Sequence, residues 1–178
     1  LDAERYLQSG FARRLPDDIR SAVAQRGIRN SHLLSIAPTG TIALAFADNA
    51  SNGIEPAFAW SYTRRKRMPD GSTREYAVED HAYRLFRERG GDTLCLPAAF
   101  VSALDMTAEQ HLQMLVAVQP FIDSSISKTV NVPADYPFEA FKGLYAQAWQ
   151  AGLKGLATSR PTAVTGAVLS VAAPAAAD

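Results

Sequence analysis

The stretch that most constrains this chain runs Leu33-Leu34-Ser35-Ile36-Ala37-Pro38-Thr39-Gly40-Thr41-Ile42-Ala43-Leu44-Ala45-Phe46. Leu33 to Ala37 form a short apolar run of strand type, and Pro38 ends it because a proline has no N–H for a sheet ladder. Gly40 sits in the turn, and Ile42 to Phe46 suit a turn or two of helix. A helix start leaves backbone N–H groups without intrahelical partners and carries the positive end of the helix dipole. With no Cβ at Gly40 to keep a ligand off the backbone, and with hydroxyls on Thr39 and Thr41, such a turn can hold a phosphate without a cationic side chain. The same residues also suit an ordinary strand-to-helix turn with a threonine N-cap. Composition and spacing leave both readings open.

The rest of the composition narrows the setting. With 178 residues, 47% of them hydrophobic, the chain can bury the core of one globular domain. Lys plus Arg and Asp plus Glu number 18 each, so no global field draws the chain to nucleic acid or to an anionic membrane. Phosphate recognition must therefore be local. The single Cys95 excludes an internal disulfide framework and a multi-cysteine metal site, and it suits a reducing compartment. No signal peptide and no transmembrane run is visible, so the expected partners exclude a membrane and the expected location is cytoplasmic. The start at Leu1 and the Ala/Pro-rich tail from Val171 to Asp178 predict a piece of a longer polypeptide, with 1–170 as its domain and 171–178 as a tail.

Taken in order, Pro16, Asp17 and Asp18 open a helix that runs to about Gln25 and stops at Gly27. His32, before the strand Leu33 to Ala37, reads as a hydrogen-bonded structural residue rather than an acid or base. The Asp48-to-Gly53 cluster ends the apolar helix after the loop, and Glu55 in "NGIEP" reads as a carboxylate that accepts backbone N–H bonds rather than as a general base. Phe58 to Met68 and Thr73 to Val78 form a hairpin around Pro69-Asp70-Gly71-Ser72. Its cations Arg64, Arg65, Lys66 and Arg67 lie among Trp60, Tyr62 and Tyr76, a pattern that single-stranded nucleic acid binders use. With Glu75, Glu79 and Asp80 close by, a solvated hairpin is the favoured reading and nucleic acid is disfavoured.

Asp80 to Arg89 has helical spacing with Gly90-Gly91 as its stop, and Cys95 is expected to be buried and unreactive for want of a cationic neighbour. Thr107 to Gln110 is a capping box opening a helix to about Pro120, on which His111 should be exposed. Ser124 to Val132 reads as a strand. After Asp135-Tyr136-Pro137, the residues Phe138, Phe141, Leu144, Tyr145, Ala148 and Trp149 recur at helical spacing as one apolar stripe, and beyond Gly152 a strand begins within Leu153 to Ala157. Strand, helix, inserted hairpin, strand, helix and strand in this order predict a parallel α/β architecture with ligand loops at the carboxyl ends of the strands.

Four segments, in order and at similar spacing, resemble the late part of the catalytic barrel of ribonucleotide reductases: "GIRNSHLLSIAPTGTIAL", "NASNGIEPAF", "SISKTVNVP" and "GLKGLATSRP". The likeness is greatest to the adenosylcobalamin-dependent class. It implies an α/β fold that is part of a ten-stranded barrel with an inserted β-hairpin, and an oxidoreductase that reduces ribonucleotides to 2′-deoxyribonucleotides for DNA synthesis. Pro38, Thr39, Gly40, Thr41 and Ile42 match the loop that holds the substrate phosphates. The implied partners are a ribonucleoside diphosphate, the rest of the reductase chain and a thioredoxin-type reductant. Where reductases fed by a separate radical subunit carry two adjacent tyrosines, this chain has Ala157 and Thr158, which favours the cobalamin class. The family's Asn-x-Cys-x-Glu finger loop is missing, and Cys95 lies outside the family's cysteine motifs, so no catalytic residue and no metal ligand is assigned. The alternative is a stand-alone, non-catalytic module for nucleotide or nucleic acid.

Overall fold

A computed structural model of the chain describes residues 2–47, 52–160 and 169–170. Part of the Asp48-to-Gly53 cluster and the whole 171–178 tail lie outside these residues. The elements are α1 (Ala3–Leu7), α2 (Asp17–Arg26), α3 (Gly40–Ile42), β1 (Ser61–Arg67), β2 (Thr73–Glu79), α4 (His81–Glu88), α5 (Ala108–Val118), β3 (Thr129–Asn131), α6 (Phe138–Gln150), β4 (Ala157–Ser159) and β5 (Leu169–Ser170). The mixed α/β order expected from the sequence is present. Among the described residues the strands form two separate sheets and do not close into a barrel.

The sheet that positions the loop is parallel. β3 pairs with β4, setting Thr129 opposite Ala157 and Asn131 opposite Ser159. Upstream on the same strand line, Ile126 forms a parallel bridge with Ile36. There the Ile36 N–H donates to Ser125 C=O at 3.4 Å, and Ser127 N–H donates to Ile36 C=O at 2.8 Å. The expected strands Leu33 to Ala37 and Ser124 to Val132 are therefore shorter than the sequence suggests: one bridge at Ile36 and three residues of β3. Asp123 explains the first shortening. Its carboxylate accepts Leu33 N–H at 2.7 Å and Leu34 N–H at 2.9 Å, taking up donors that a longer ladder would use.

Side chains alternate across a strand, so Ile126, Lys128, Val130 and Val132 share one face. On that face Val130 and Val132 pack with Ala108 and Leu112 of α5 and with Leu144 and Ala148 of α6. The capping box at the start of α5 forms as expected: Gln110 N–H donates to Thr107 Oγ1, and Thr107 N–H donates to Gln110 Oε1. The apolar stripe of α6 is only half used. Leu144 and Ala148 are buried, whereas Phe138 and Trp149 are 71% and 80% exposed.

The hairpin has the expected arms, with β1 and β2 antiparallel in the register Ser61 to Glu79 through Arg67 to Thr73. Its turn closes through Met68 N–H to Ser72 C=O at 2.8 Å, and Asp70 accepts both the Ser72 N–H and hydroxyl. It is not a two-stranded arm, because β5 pairs with the other edge of β1. Among the described residues no helix is long and apolar enough to cross a membrane.

This packing predicts opposite results for two substitutions on one helix. Leu144→Ala should cost roughly 2–5 kcal/mol by chemical denaturation, because it removes a fully packed side chain. Trp149→Ala should stay within about 0.5 kcal/mol.

Candidate functional site

Pro38 ends the Ile36 strand, and the next residue, Thr39, takes the left-handed backbone conformation with φ 52° and ψ 13°. It is the only non-glycine residue with positive φ among the described residues. Gly40 to Ile42 then turn right-handed, with Ala43 N–H donating to Thr39 C=O at 2.9 Å, and the chain widens into a π-type turn over Ala43–Ala47. A left-handed residue followed by a right-handed one turns successive N–H groups toward a common point, which is an anion-binding nest. The Thr39 side chain makes no cap hydrogen bond, and its backbone is not the extended form typical of an N-cap. The ordinary N-cap turn is thus not what forms here.

The glycine that this backbone requires is not Gly40. Among the described residues a Cβ on Gly40 would find only Asn52 Nδ2, at 3.9 Å. A Cβ on Gly53 would meet Ala37 O at 2.6 Å and Thr39 Oγ1 at 3.5 Å, and Gly53 itself has a φ of 56°. Gly53 belongs to a tight turn in which Glu55 N–H donates to Asn52 C=O at 2.8 Å and Asn52 N–H to Glu55 C=O at 3.4 Å. This turn backs the loop from Ala37 to Gly40.

Glu55 anchors the turn to the parallel sheet. Its Oε1 accepts the Thr129 N–H, and its Oε2 accepts from Lys128 Nζ at 3.0 Å. The expectation that Glu55 serves the fold by accepting backbone N–H bonds thus agrees with the geometry. Lys128 is almost wholly enclosed, with 1% of its side chain exposed, and Nζ lies 2.8 Å from His111 Nδ1. His111 Nε2 lies 3.1 Å from Ala103 O. An ammonium only donates and a carbonyl only accepts, so these partners set the tautomer: Nδ1 accepts from Lys128 and Nε2–H donates to Ala103. Burial, and then the Lys128 charge, hold the His111 pKa below the ordinary histidine value, against the opposing effects of Ala103 and Glu55.

His111 therefore corrects an expectation, since it is fully buried rather than exposed. Helical spacing places it on the face of Leu112 and Leu115, a signal outweighed in the sequence by its position in the first turn. Sequence motifs do not point to Lys128, although the alternation of Ile126, Val130 and Val132 puts it on the core face. Cys95 is a second correction: it is exposed, not buried. Asp92 explains this by accepting Leu94 N–H and, through its carbonyl, Cys95 N–H, which winds 92–95 into a surface turn with Leu94 98% exposed.

The other candidates stand apart from this arrangement. His32 is exposed, with Nδ1 2.8 Å from the Ser31 hydroxyl. Burial raises the Asp123 pKa, but the Leu33 and Leu34 N–H groups, the Ser124 hydroxyl and His32 outweigh it and hold the carboxyl below the usual range. On the hairpin, Arg65 pairs with Glu75 directly across the strands at 2.8 Å, and Arg87 with Glu79. Beside the Asn52–Glu55 turn lies an open cleft of about 330 Å³, lined on the sheet side by Thr129, Asn131 and Ser159. No group of three or more metal-ligating side chains occurs among the described residues.

The sequence model of the family described as "Ribonucleotide reductase, barrel domain" matches residues 5–159. The vitamin B12-dependent ribonucleoside-diphosphate reductase of Mycobacterium tuberculosis is 36% identical over 167 residues, covering 82% of this chain and 23% of that protein. The vitamin B12-dependent ribonucleotide reductases of Streptomyces clavuligerus and Rhodopirellula baltica are each 29% identical, covering 86% and 84% of this chain. The chain spans only 17% to 23% of the length of these three relatives.

The loop geometry separates the two glycines. Gly53→Ala should destabilise the chain by more than about 1 kcal/mol, since it adds a Cβ against a carbonyl in left-handed backbone. Gly40→Ala should leave thermal unfolding unchanged within error, because among the described residues its Cβ would meet nothing closer than 3.9 Å.

Proposed function

This chain belongs to the ribonucleotide reductase barrel domain family, and from that premise we propose that it serves the reduction of ribonucleoside diphosphates to 2′-deoxyribonucleotides by supplying the loop that grips the substrate phosphates. The observation that carries this reading is the left-handed Thr39 before right-handed Gly40, just after the parallel bridge at Ile36. In the proposal, Pro38 ends the strand, the N–H groups of Thr39, Gly40 and Thr41 converge on phosphate oxygens, and Ile42 carries the chain away. The diphosphate is preferred because the name of the Mycobacterium tuberculosis relative specifies it.

The rest of the polypeptide belongs to the same proposal. Residues 1–170 form the C-terminal portion of a ten-stranded catalytic barrel with an inserted hairpin, and 171–178 form a tail. The exposed Phe138 and Trp149, and the open edges of the short parallel sheet, are surfaces that such a barrel would cover. We place the enzyme in the cytoplasm with a thioredoxin-type reductant. For the full-length protein we take adenosylcobalamin as the cofactor, in keeping with the relatives' names, where it supplies the radical.

The residues described here do not complete a site for that cofactor. The single thiol, Cys95, is exposed in the 92–95 turn and is not among the residues lining the cleft beside the loop. Replacing the 2′-hydroxyl by hydrogen releases water and oxidises two thiols to a disulfide, which one cysteine cannot do. The 178-residue chain alone should therefore not turn over.

Gly40→Val tests the loop. Among the described residues its Cβ meets nothing closer than Asn52 Nδ2 at 3.9 Å, and thermal unfolding of the variant checks that the fold is kept. On the ligand side, the branched side chain should displace one or two charge-assisted hydrogen bonds, at roughly 1.5–3 kcal/mol each. Calorimetric titration of the full-length protein with a ribonucleoside diphosphate should show affinity about tenfold weaker or worse. Unchanged affinity in Gly40→Val would overturn the assignment.

A further inference from the structure

A lysine on a core strand face is a costly choice where its neighbours are Ile126, Val130 and Val132. An aliphatic residue would serve packing alone better, so the buried charge needs another reason. From Lys128 one line of contacts leads to the loop. Lys128 holds Glu55 Oε2, Glu55 Oε1 holds Thr129 N–H, and the Asn52–Glu55 turn is closed by two backbone bonds. Gly53 of that turn sits against the Ala37 and Pro38 carbonyls and the Thr39 hydroxyl. The chain of contacts ends on Thr39, the one non-glycine residue held in left-handed backbone among the described residues.

We propose that the Glu55–Lys128–His111 network is the positioning element of the phosphate loop, holding the Asn52–Glu55 turn so that Thr39 and Gly40 keep their anion-binding backbone. This rests on the reading of Pro38 to Ile42 as a phosphate loop. None of the three residues touches the substrate in this scheme; they act through Gly53.

The network also makes the loop sensitive to acid. The charged groups that bear on His111 are Lys128, from the position just before β3, and Glu55, from the turn. Protonation of His111 removes the Nδ1 lone pair that receives Lys128 and puts a second cation 2.8 Å from Nζ. Glu55 cannot compensate, because its other oxygen is engaged by Thr129 N–H. Since the folded-state pKa of His111 is depressed, the unfolded chain binds the proton more readily. The network therefore contributes its full stability above the ordinary histidine value of about 6.5 and is lost as pH falls through the lower folded-state value.

The test follows the amide resonances of Thr39, Gly40 and Thr41 in the 178-residue chain as pH is lowered from about 8 to about 5, with and without inorganic pyrophosphate. It compares wild type with His111→Gln, whose amide can accept from Lys128 and donate to Ala103 without titrating. Without ligand, the wild-type loop resonances should move through a histidine-type titration and those of His111→Gln should not. With pyrophosphate, wild-type affinity should fall at least about threefold more across the range than that of His111→Gln; the ligand's own titration is common to both. Coincident profiles for the two proteins would overturn the proposal.

Lys128→Met should shift the same resonances at neutral pH and weaken pyrophosphate binding about tenfold. Should Lys128→Met not fold, Glu55→Gln carries the same comparison, because it keeps an acceptor for Thr129 while removing the charge that holds Lys128. If pyrophosphate moves no loop resonance in wild type, the phosphate reading fails, and the ligand-free titration still decides whether His111 controls the loop.

Discussion

One hydrogen bond organises the region on which the functional reading rests: the Thr129 N–H donated to Glu55 Oε1. In the parallel ladder Ser127 N–H donates to Ile36 C=O, and residues two apart present their N–H groups to the same edge. An uninterrupted partner strand would offer Thr129 the carbonyl of Pro38. The chain instead turns away at Pro38 to build the loop, and a buried donor left without an acceptor costs about 1–3 kcal/mol. Glu55 fills the gap from 74 residues away in sequence. The loop can leave the sheet because a side chain takes over the position that its backbone vacates.

That substitution brings a carboxylate, only 18% exposed, to the sheet edge, and the rest of the polar network follows from it. Lys128 balances the charge from the neighbouring position on the strand, and His111 receives a second Lys128 proton and passes a donor to Ala103. Removing one member of a buried ion pair typically costs about 3–5 kcal/mol. The network thus ties β3, α5 and the Asn52–Glu55 turn into one unit, with the loop as its free end.

What could be read from sequence was what local chemistry determines. Pro38 as a strand terminator, Asp70-Gly71 as a turn and Thr107 with Gln110 as a capping box each involve residues within a few positions of one another. The loop was found for the same reason, although the glycine that its backbone needs, Gly53, lies 13 residues beyond Gly40. The Lys128 contacts with His111 and Glu55 span 17 and 73 positions, and no local pattern announces them. The want of a cationic neighbour bears on the reactivity of Cys95 and not on its burial, which the Asp92 turn decides by winding 92–95 onto the surface with Leu94 outward. Spacing alone makes the α6 stripe legible as helical, but not how much of it is covered: the described residues bury Leu144 and Ala148 and offer no packing for Trp149.

Glu55 replaces the missing strand at Thr129, and amide hydrogen exchange measures this directly. In wild type, Thr129 N–H should exchange as slowly as Val132 N–H, which donates to Ser159 C=O at 2.9 Å. In Glu55→Ala the Thr129 amide should lose most of that protection while Val132 keeps it. A Thr129 amide that exchanges freely in wild type, or whose protection survives Glu55→Ala, would contradict the account.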